Sequence, residues 1–248
     1  MRKINLKNLM LDLYKTNDYF AAIEPVSTDY EESYHMLAID PDGKERKLLD
    51  EREHSLAATK EISDFLSDIK PGKVLDIGCG PGWILSSLNN NWEKHGIEIS
   101  EFASNYASKF GNIHCGTLDD YNETDFDVVI MNHVIEHIPD PISAINKIHS
   151  LLKKGGKLII GTPDFDSGAA RRYGSNFRLL HDPTHVSLFS SDSMHRFLRD
   201  FRFHIKHVEY PFFDTIWFNK EDMLKMFDNS TMSPPFYGSA MTFLCEKK

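Results

Sequence analysis

Apolar positions divide the chain near residue 70. Before it, apolar residues recur at helical spacing from Ile4 to Leu13. They recur again as Leu49, Leu56, Ile62, Phe65, Leu66 and Ile69, between about Leu48 and Ile69. Each run predicts an amphipathic helix, because residues three and four apart share a face. Pro71-Gly72 stops the second. Between the two runs, Asp29 to Glu51 is polar and turn-rich around Pro41-Asp42-Gly43. Residues 1–70 therefore read as an N-terminal helical extension, either packing for the rest of the chain or a lid over it.

Beyond residue 70 the pattern alternates. Short apolar runs at Lys73–Gly78, His95–Ile99, Asn112–Gly116, Phe126–Asn132 and Lys157–Gly161 are separated by helical patterns at Trp83–Leu88, Phe102–Phe110 and Ile142–Leu152. Near-continuous apolar strands alternating with helices predict a mostly parallel sheet covered on both faces. A helical stretch at Ser190–Leu198 and two late strands, Phe203–Phe213 and Ser239–Cys245, would complete it. The expected fold is α/β: a Rossmann-like, seven-stranded, mostly parallel sheet with an antiparallel last strand, forming one domain over 71–248. Two interruptions remain. Residues 162–189 look irregular, and a loop longer than about 15 residues in a compact domain is usually functional, so this is the expected substrate loop. An insert over 214–236 carries a helical pattern at Ile216–Phe227, with Trp217, Phe218, Met223 and Met226 read as core packing in preference to a substrate wall.

The first strand ends in Asp76-Ile77-Gly78-Cys79-Gly80-Pro81-Gly82, a turn that only backbone can line. Glycine permits positive φ and removes the Cβ that would hold a ligand away. Twenty residues past Gly78, the second strand ends at Glu98. Strand, glycine turn, helix, strand and acid form the layout of a nucleotide-binding crossover, with the carboxylate accepting ribose hydroxyls. The ligand crevice should lie at the carboxyl ends of the strands, where Asp76, Glu98, Thr117 and Asn132 sit. Gly78-x-Gly80-x-Gly82 differs from the dehydrogenase spacing G-x-G-x-x-G. A nicotinamide dehydrogenase is thereby disfavoured and kept as an alternative.

These residues resemble the first motif of class I S-adenosylmethionine-dependent methyltransferases. Phe126–Pro141 is similar to that family's fourth strand and following loop, and Leu151–Gly156 to the turn before its fifth strand. Pro183–Ser190 and the run through Met241–Leu244 resemble its small-molecule branch, of the type 23 and ubiquinone-biosynthesis kind. The resemblance covers roughly residues 70–248. It implies S-adenosylmethionine as cofactor, with S-adenosylhomocysteine as product. It implies a cofactor site made of Asp76, Gly78, Cys79, Gly80, Gly82, Glu98, Ile99, Thr117, Leu118, Asn132 and His133. Within that set Ile99 would flank the adenine and Asn132 and His133 the methionine part. The family often has an Asp where Thr117 stands. A catalytically silent, partner-binding relative is the remaining alternative; an intact glycine motif speaks against it.

Methyl transfer needs an aligned nucleophile and somewhere for its proton to go. Histidine titrates near neutrality, and three of the twelve are candidates for a base: His185 and His181 in the long loop, and His133 after the fourth strand. His133-Val134-Ile135-Glu136-His137 also matches the H-x-x-E-H zinc pattern. That chemistry uses a helix and a third ligand, whereas this segment leaves a strand and meets Pro139 within two residues, so no metal is expected. Arg171, Arg172 and Arg178 lie within eight residues; they read either as scattered charge on a solvated loop or as planar forks suited to phosphate or carboxylate oxygens on an anionic substrate.

Composition narrows the classes further. Charged residues are 26% and aromatics 12% of the 248 residues, a globular balance. A net charge of −9 argues against nucleic-acid binding, which depends on cationic neutralisation of phosphates. Three scattered cysteines form no disulfide framework and fit a reducing compartment. No apolar run approaches a membrane span of about 20 residues, and no signal-peptide core follows Met1. The expectation is a soluble cytoplasmic monomer or homodimer acting on a small molecule, with no nucleic acid and no membrane.

Overall fold

The structure, a computed structural model, describes residues 4–24, 38–39, 45–210, 220–234 and 239–248. The described N-terminal segment holds α1 (Leu6–Thr16), β1 (Ala21–Ala22) and an antiparallel pair, β2 (Ala38–Ile39) with β3 (Glu45–Arg46). At the centre is a seven-stranded sheet formed by β4 (Lys73–Ile77), β5 (Glu93–Glu98), β6 (Asn112–Cys115), β7 (Phe126–Asn132), β8 (Leu152–Pro163), β10 (Phe203–Glu209) and β11 (Ala240–Lys247). The order across it is β10-β11-β8-β7-β4-β5-β6. Strands β4 to β8 run parallel, and β11 is antiparallel to both β8 and β10. The expected sheet is the observed one, including its reversed last strand.

Burial explains the apolar runs. Val74 and Leu75 of β4, Val128 to Met131 of β7 and Leu158 to Ile160 of β8 are all fully buried. Their alternating side chains feed two cores. One face packs against α6 (Pro141–Leu151) and α8 (Ser191–Asp200) through Ile145, Ile148, Met194 and Phe197. The other takes Ile62 and Leu66 from the N-terminal segment, together with Leu85 and Ala107. These latter two come from α4 (Trp83–Ser87) and α5 (Glu101–Ala107). Pro139-Asp140-Pro141 is a helix start: the Asp140 carboxylate accepts from the Ser143 N–H at 3.0 Å, with Pro141 at the first helical position.

Four expectations need correction in detail. The helix foreseen over Leu48–Ile69 is two helices, α2 (Arg52–Ala58) and α3 (Lys60–Ser67), broken at Thr59 where φ is −116°. The turn foreseen at Leu151–Gly156 is instead the end of α6 at Leu151 and an excursion within β8: between Phe126 and Val128 the register steps from Leu152 to Lys157.

The third concerns residues 162–189, which are ordered structure. They hold α7 (Gly168–Tyr173), two 3₁₀ turns, Gly174–Asn176 and Arg178–His181, and β9 (Ser187–Leu188). A third apolar cluster accounts for this: Phe165, Ala169, Tyr173, Phe177 and Leu180 pack with Leu6, Met10 and Leu13 of α1. Just after α1, β1 pairs antiparallel with β9. The elements are too short for periodicity, and their apolar partners lie some 150 residues away.

The fourth is the insert. The described part of the foreseen Ile216–Phe227 helix is α9 (Lys220–Lys225); Trp217 and Phe218 lie outside the described residues. Met223, Leu224 and Phe227 are exposed, not core. Polar bonds tie this segment to the body instead. The Tyr173 hydroxyl donates to the Lys225 carbonyl at 2.8 Å, and the Ser233 N–H to the Asn176 carbonyl at 2.8 Å.

Candidate active site

At the carboxyl end of β4 the chain turns through Gly78, Gly80 and Gly82, with φ of 68°, 52° and 80°. A Cβ on Gly78 would lie 2.5 Å from Val134 Cγ2, so the turn presses against the segment after β7. A Cβ on Gly80 would meet nothing within 4 Å: this part of the turn borders open space. The Gly78 and Cys79 N–H groups donate to the Ile97 carbonyl at 2.8 and 3.1 Å, fixing the turn to β5.

Glu98 ends β5 and is nearly buried. Its carboxylate accepts from the Gly80 N–H and the Ser100 N–H, each at 2.8 Å. A carboxylate offers about four lone-pair sites, so two remain for a diol. Ile99, next along, is 55% exposed, an apolar surface beside that acid. Asp76 is buried behind the turn, and burial, with the Glu98 charge added, pushes its carboxyl up to about 8. Burial also holds the Cys79 thiol protonated. Leu118 is buried, whereas Thr117 is exposed and donates from its hydroxyl to Asp120 at 2.7 Å. Open space at Gly80, a carboxylate with spare acceptor capacity and an exposed Ile99 fit an adenosine-bearing cofactor.

Asn132 ends β7, and the Cβ of any residue replacing Gly161 would fall 2.2 Å from its side-chain oxygen. The chain then enters His133 with φ of 53°, rare for a non-glycine residue. His133 Nδ1 lies 3.1 Å from an oxygen of Glu136, which is completely buried. The other Glu136 oxygen accepts from the Thr162 hydroxyl at 3.0 Å. Burial by itself would raise this carboxyl; the His133 hydrogen bond and the His133, His137 and His185 rings outweigh it and hold it at about 2. Desolvation opposes charge on the His133 imidazole, but Glu136 prevails and its pKa lies above the ordinary value.

His185 is buried, and burial lowers its pKa, so the ring is neutral at pH 7. Its Nδ1 lies 2.6 Å from the Leu179 carbonyl, its ring stands 4.8 Å from that of His137, and its neighbour Val186 donates backbone N–H to the Glu136 carbonyl at 2.8 Å. The fold thus gathers His133 and His185 around Glu136 and adds His137, which was not among the candidate bases. The signal was the H-x-x-E-H spacing, which is silent about His185 some fifty residues on. His181 is turned elsewhere, with Nε2 2.8 Å from the Ser175 carbonyl.

The three arginines do not converge. Arg171 is held by Asp166 through two bonds of 2.9 and 2.7 Å, and the same carboxylate accepts from the Tyr14 hydroxyl at 2.7 Å. Arg172 is exposed, and Arg178 is half-buried, its backbone N–H donating to the Ser233 hydroxyl at 2.9 Å.

The family model described as a methyltransferase domain matches residues 49–208, more than half of the chain. A ubiquinone biosynthesis O-methyltransferase from Alkalilimnicola ehrlichii is 30% identical over 41% of this chain and 45% of its own length. Phosphoethanolamine N-methyltransferase 3 from Arabidopsis thaliana is 30% identical over 62% of this chain and 37% of its own. The chain therefore spans less than half the length of these two curated relatives. Among solved structures, a Thermotoga maritima S-adenosylmethionine-dependent methyltransferase, described as a possible histamine N-methyltransferase, superposes with a TM-score of 0.58. It is 24% identical, with 82% of this chain and 97% of that one covered. By the family match and the order of its sheet, the chain belongs to the class I S-adenosylmethionine-dependent methyltransferases, and S-adenosylmethionine is its cofactor.

Proposed function

We propose that this protein transfers a methyl group from S-adenosylmethionine to an oxygen of a small molecule. The observation that carries the oxygen assignment is the His133–Glu136 pair at the carboxyl end of β7. A buried carboxylate fixes the Nδ1 side of a half-exposed imidazole, 3.1 Å away, and leaves Nε2 to receive a proton. A hydroxyl acceptor has a proton to lose; a neutral amine attacks without a protein base. His133 thus stands ahead of His185, whose ring is buried and whose Nδ1 is engaged by a carbonyl.

When bound, the cofactor supplies an electrophilic methyl group on a sulfonium. The glycine turn and Glu98 would hold its ribose, and Ile99 and Leu118 would border the adenine. Asn132 and His133 would flank the methionine part, with Asp76 ordering the turn. The loop 162–189, covered by α1, would shape the acceptor pocket and exclude water from the transfer. Arg172, with its exposed guanidinium, is the arginine best placed to meet an anionic acceptor, since Arg171 already has a carboxylate. Three free cysteines suit a reducing cytoplasm, and among the described residues no helix is long and apolar enough to cross a membrane.

Calorimetric titration of the pure protein should show binding of S-adenosylmethionine and none of NAD; absence of donor binding would sink the proposal. Metabolite classes screened with a labelled methyl donor should then reveal an oxygen acceptor. With that acceptor, His133→Ala should lose about 10²–10⁴-fold in turnover, together with a pH–rate limb lying above the usual histidine range. A limb that survives the substitution points to an acceptor needing no protein base.

A further inference from the structure

Outside the donor site, the structure contains one cluster of metal-ligating side chains among the described residues. One ligand atom each from Glu136, His137 and His185 lies within 4.8 Å of the others. We propose that these three residues bind a divalent first-row transition-metal ion, of which zinc is the representative, beside the methyl acceptor. Its place beside an acceptor rests on the methyl-transfer reading; the metal site itself does not.

Two imidazoles and one carboxylate suit zinc and its neighbours, whereas magnesium and calcium favour all-oxygen shells. Three protein ligands leave a coordination position open, the arrangement of catalytic rather than structural zinc. That position would take an acceptor oxygen.

The two rings are oriented for such an ion. Thr184 Oγ1 has one proton and two neighbours: an oxygen of Asp182 at 2.5 Å and His137 Nδ1 at 2.7 Å. The carboxylate can only accept, so the threonine donates to Asp182 and His137 Nδ1–H donates to the threonine. His185 Nδ1–H donates to the Leu179 carbonyl at 2.6 Å. Both rings therefore carry their lone pair on Nε2. The second Asp182 oxygen lies 3.8 Å from His185 Nε2, beyond hydrogen-bond distance, and adds a negative charge at the rim of the cluster. Ring N–H groups fixed by a carbonyl and by a hydroxyl backed with a carboxylate are what metal-ligating histidines have on their outer side.

Placement and spacing agree with this. Glu136 has no solvent exposure, and its two oxygens are positioned by His133 Nδ1 at 3.1 Å and the Thr162 hydroxyl at 3.0 Å. Bonds of about 2.0–2.2 Å in a tetrahedral site place ligand atoms roughly 3.3–3.6 Å apart. Closing from 4.8 Å takes side-chain shifts of about an ångström.

The test uses the full chain without donor, so that its failure is separate from failure of the methyl-transfer reading. Protein stripped with chelator is titrated with Zn²⁺ by calorimetry and with Co²⁺ by visible absorption. One equivalent should bind, with the Co²⁺ bands of a low-coordinate nitrogen and oxygen site and a rise in melting temperature. His137→Ala should weaken binding roughly a hundredfold or more, given that loss of an outer partner already costs about 10–100-fold. Thr184→Val removes only an outer partner, keeps the fold testable if a ligand variant does not fold, and should weaken binding about tenfold. His207→Ala, at an exposed histidine beside Glu209, should leave binding unchanged. Failure of the wild type to take up a stoichiometric ion, or uptake that survives both His137→Ala and Thr184→Val, would overturn the site.

Discussion

Two carboxyl groups at the ends of neighbouring strands are used differently. Glu98 stays bonded to two backbone N–H groups and keeps lone pairs for a ligand. Replacing it by Ala removes a charged acceptor; at about 1.5–3 kcal/mol for such a bond, donor affinity should fall roughly ten- to a hundredfold by calorimetry. An unchanged dissociation constant would show that the ribose is held elsewhere. Asp76 is desolvated and faces the Glu98 charge, so its folded pKa of about 8 lies far above the 3.8 of an ordinary aspartate. The folded state then binds a proton that the unfolded chain has lost between these values. Stability from this group is present below pH 4 and declines as pH rises toward 8. Asp76→Asn should accordingly melt higher than wild type at pH 8, with the difference vanishing near pH 4. A constant difference across that range would mean that the carboxyl is not desolvated.

At the scale of elements, the site is a meeting of two turns. The glycine turn after β4 and the His133–His137 segment after β7 touch where Gly78 faces Val134. Gly78→Ala combines a left-handed φ of 68° with a Cβ 2.5 Å from a methyl group. Strain of about 1–3 kcal/mol results, so the melting temperature should drop and donor binding weaken together. A variant as stable as wild type would show that Val134 moves aside freely. Both turns were legible, because glycine spacing and a strand running into H-x-x-E-H leave a local trace. The contact between them was not: parallel strands some 50 residues apart become neighbours only through the crossover.

Across the whole molecule, the N-terminal extension divides its work. Helix α3 supplies Ile62 and Leu66 to the sheet, while α1 and β1 cover residues 165–188. Burying Leu13, Met10 and Leu6 there gives the second segment the core it cannot make alone. Leu13→Asp places a charge in that cluster and should strip hydrogen-exchange protection from 165–188 while β7 stays protected. Uniform loss of protection would make α1 part of the main folding unit instead.

Taken alone, the chain determined its sheet, its glycine turn and its acid. Strand burial, turn chemistry and a twenty-residue spacing are local properties, and they survive translation into one dimension. Only the tertiary structure decided which histidines meet. His185 joins Glu136 and His137 because α1 and β9 fold the long loop back onto the end of β7, where the Val186 N–H reaches the Glu136 carbonyl. It also parted the three arginines: on α7 Arg171 pairs with Asp166 and Arg172 stands in solvent, while Arg178, on the following 3₁₀ turn, is half-buried. Proximity of side chains from distant segments depends on packing, and no periodicity encodes it.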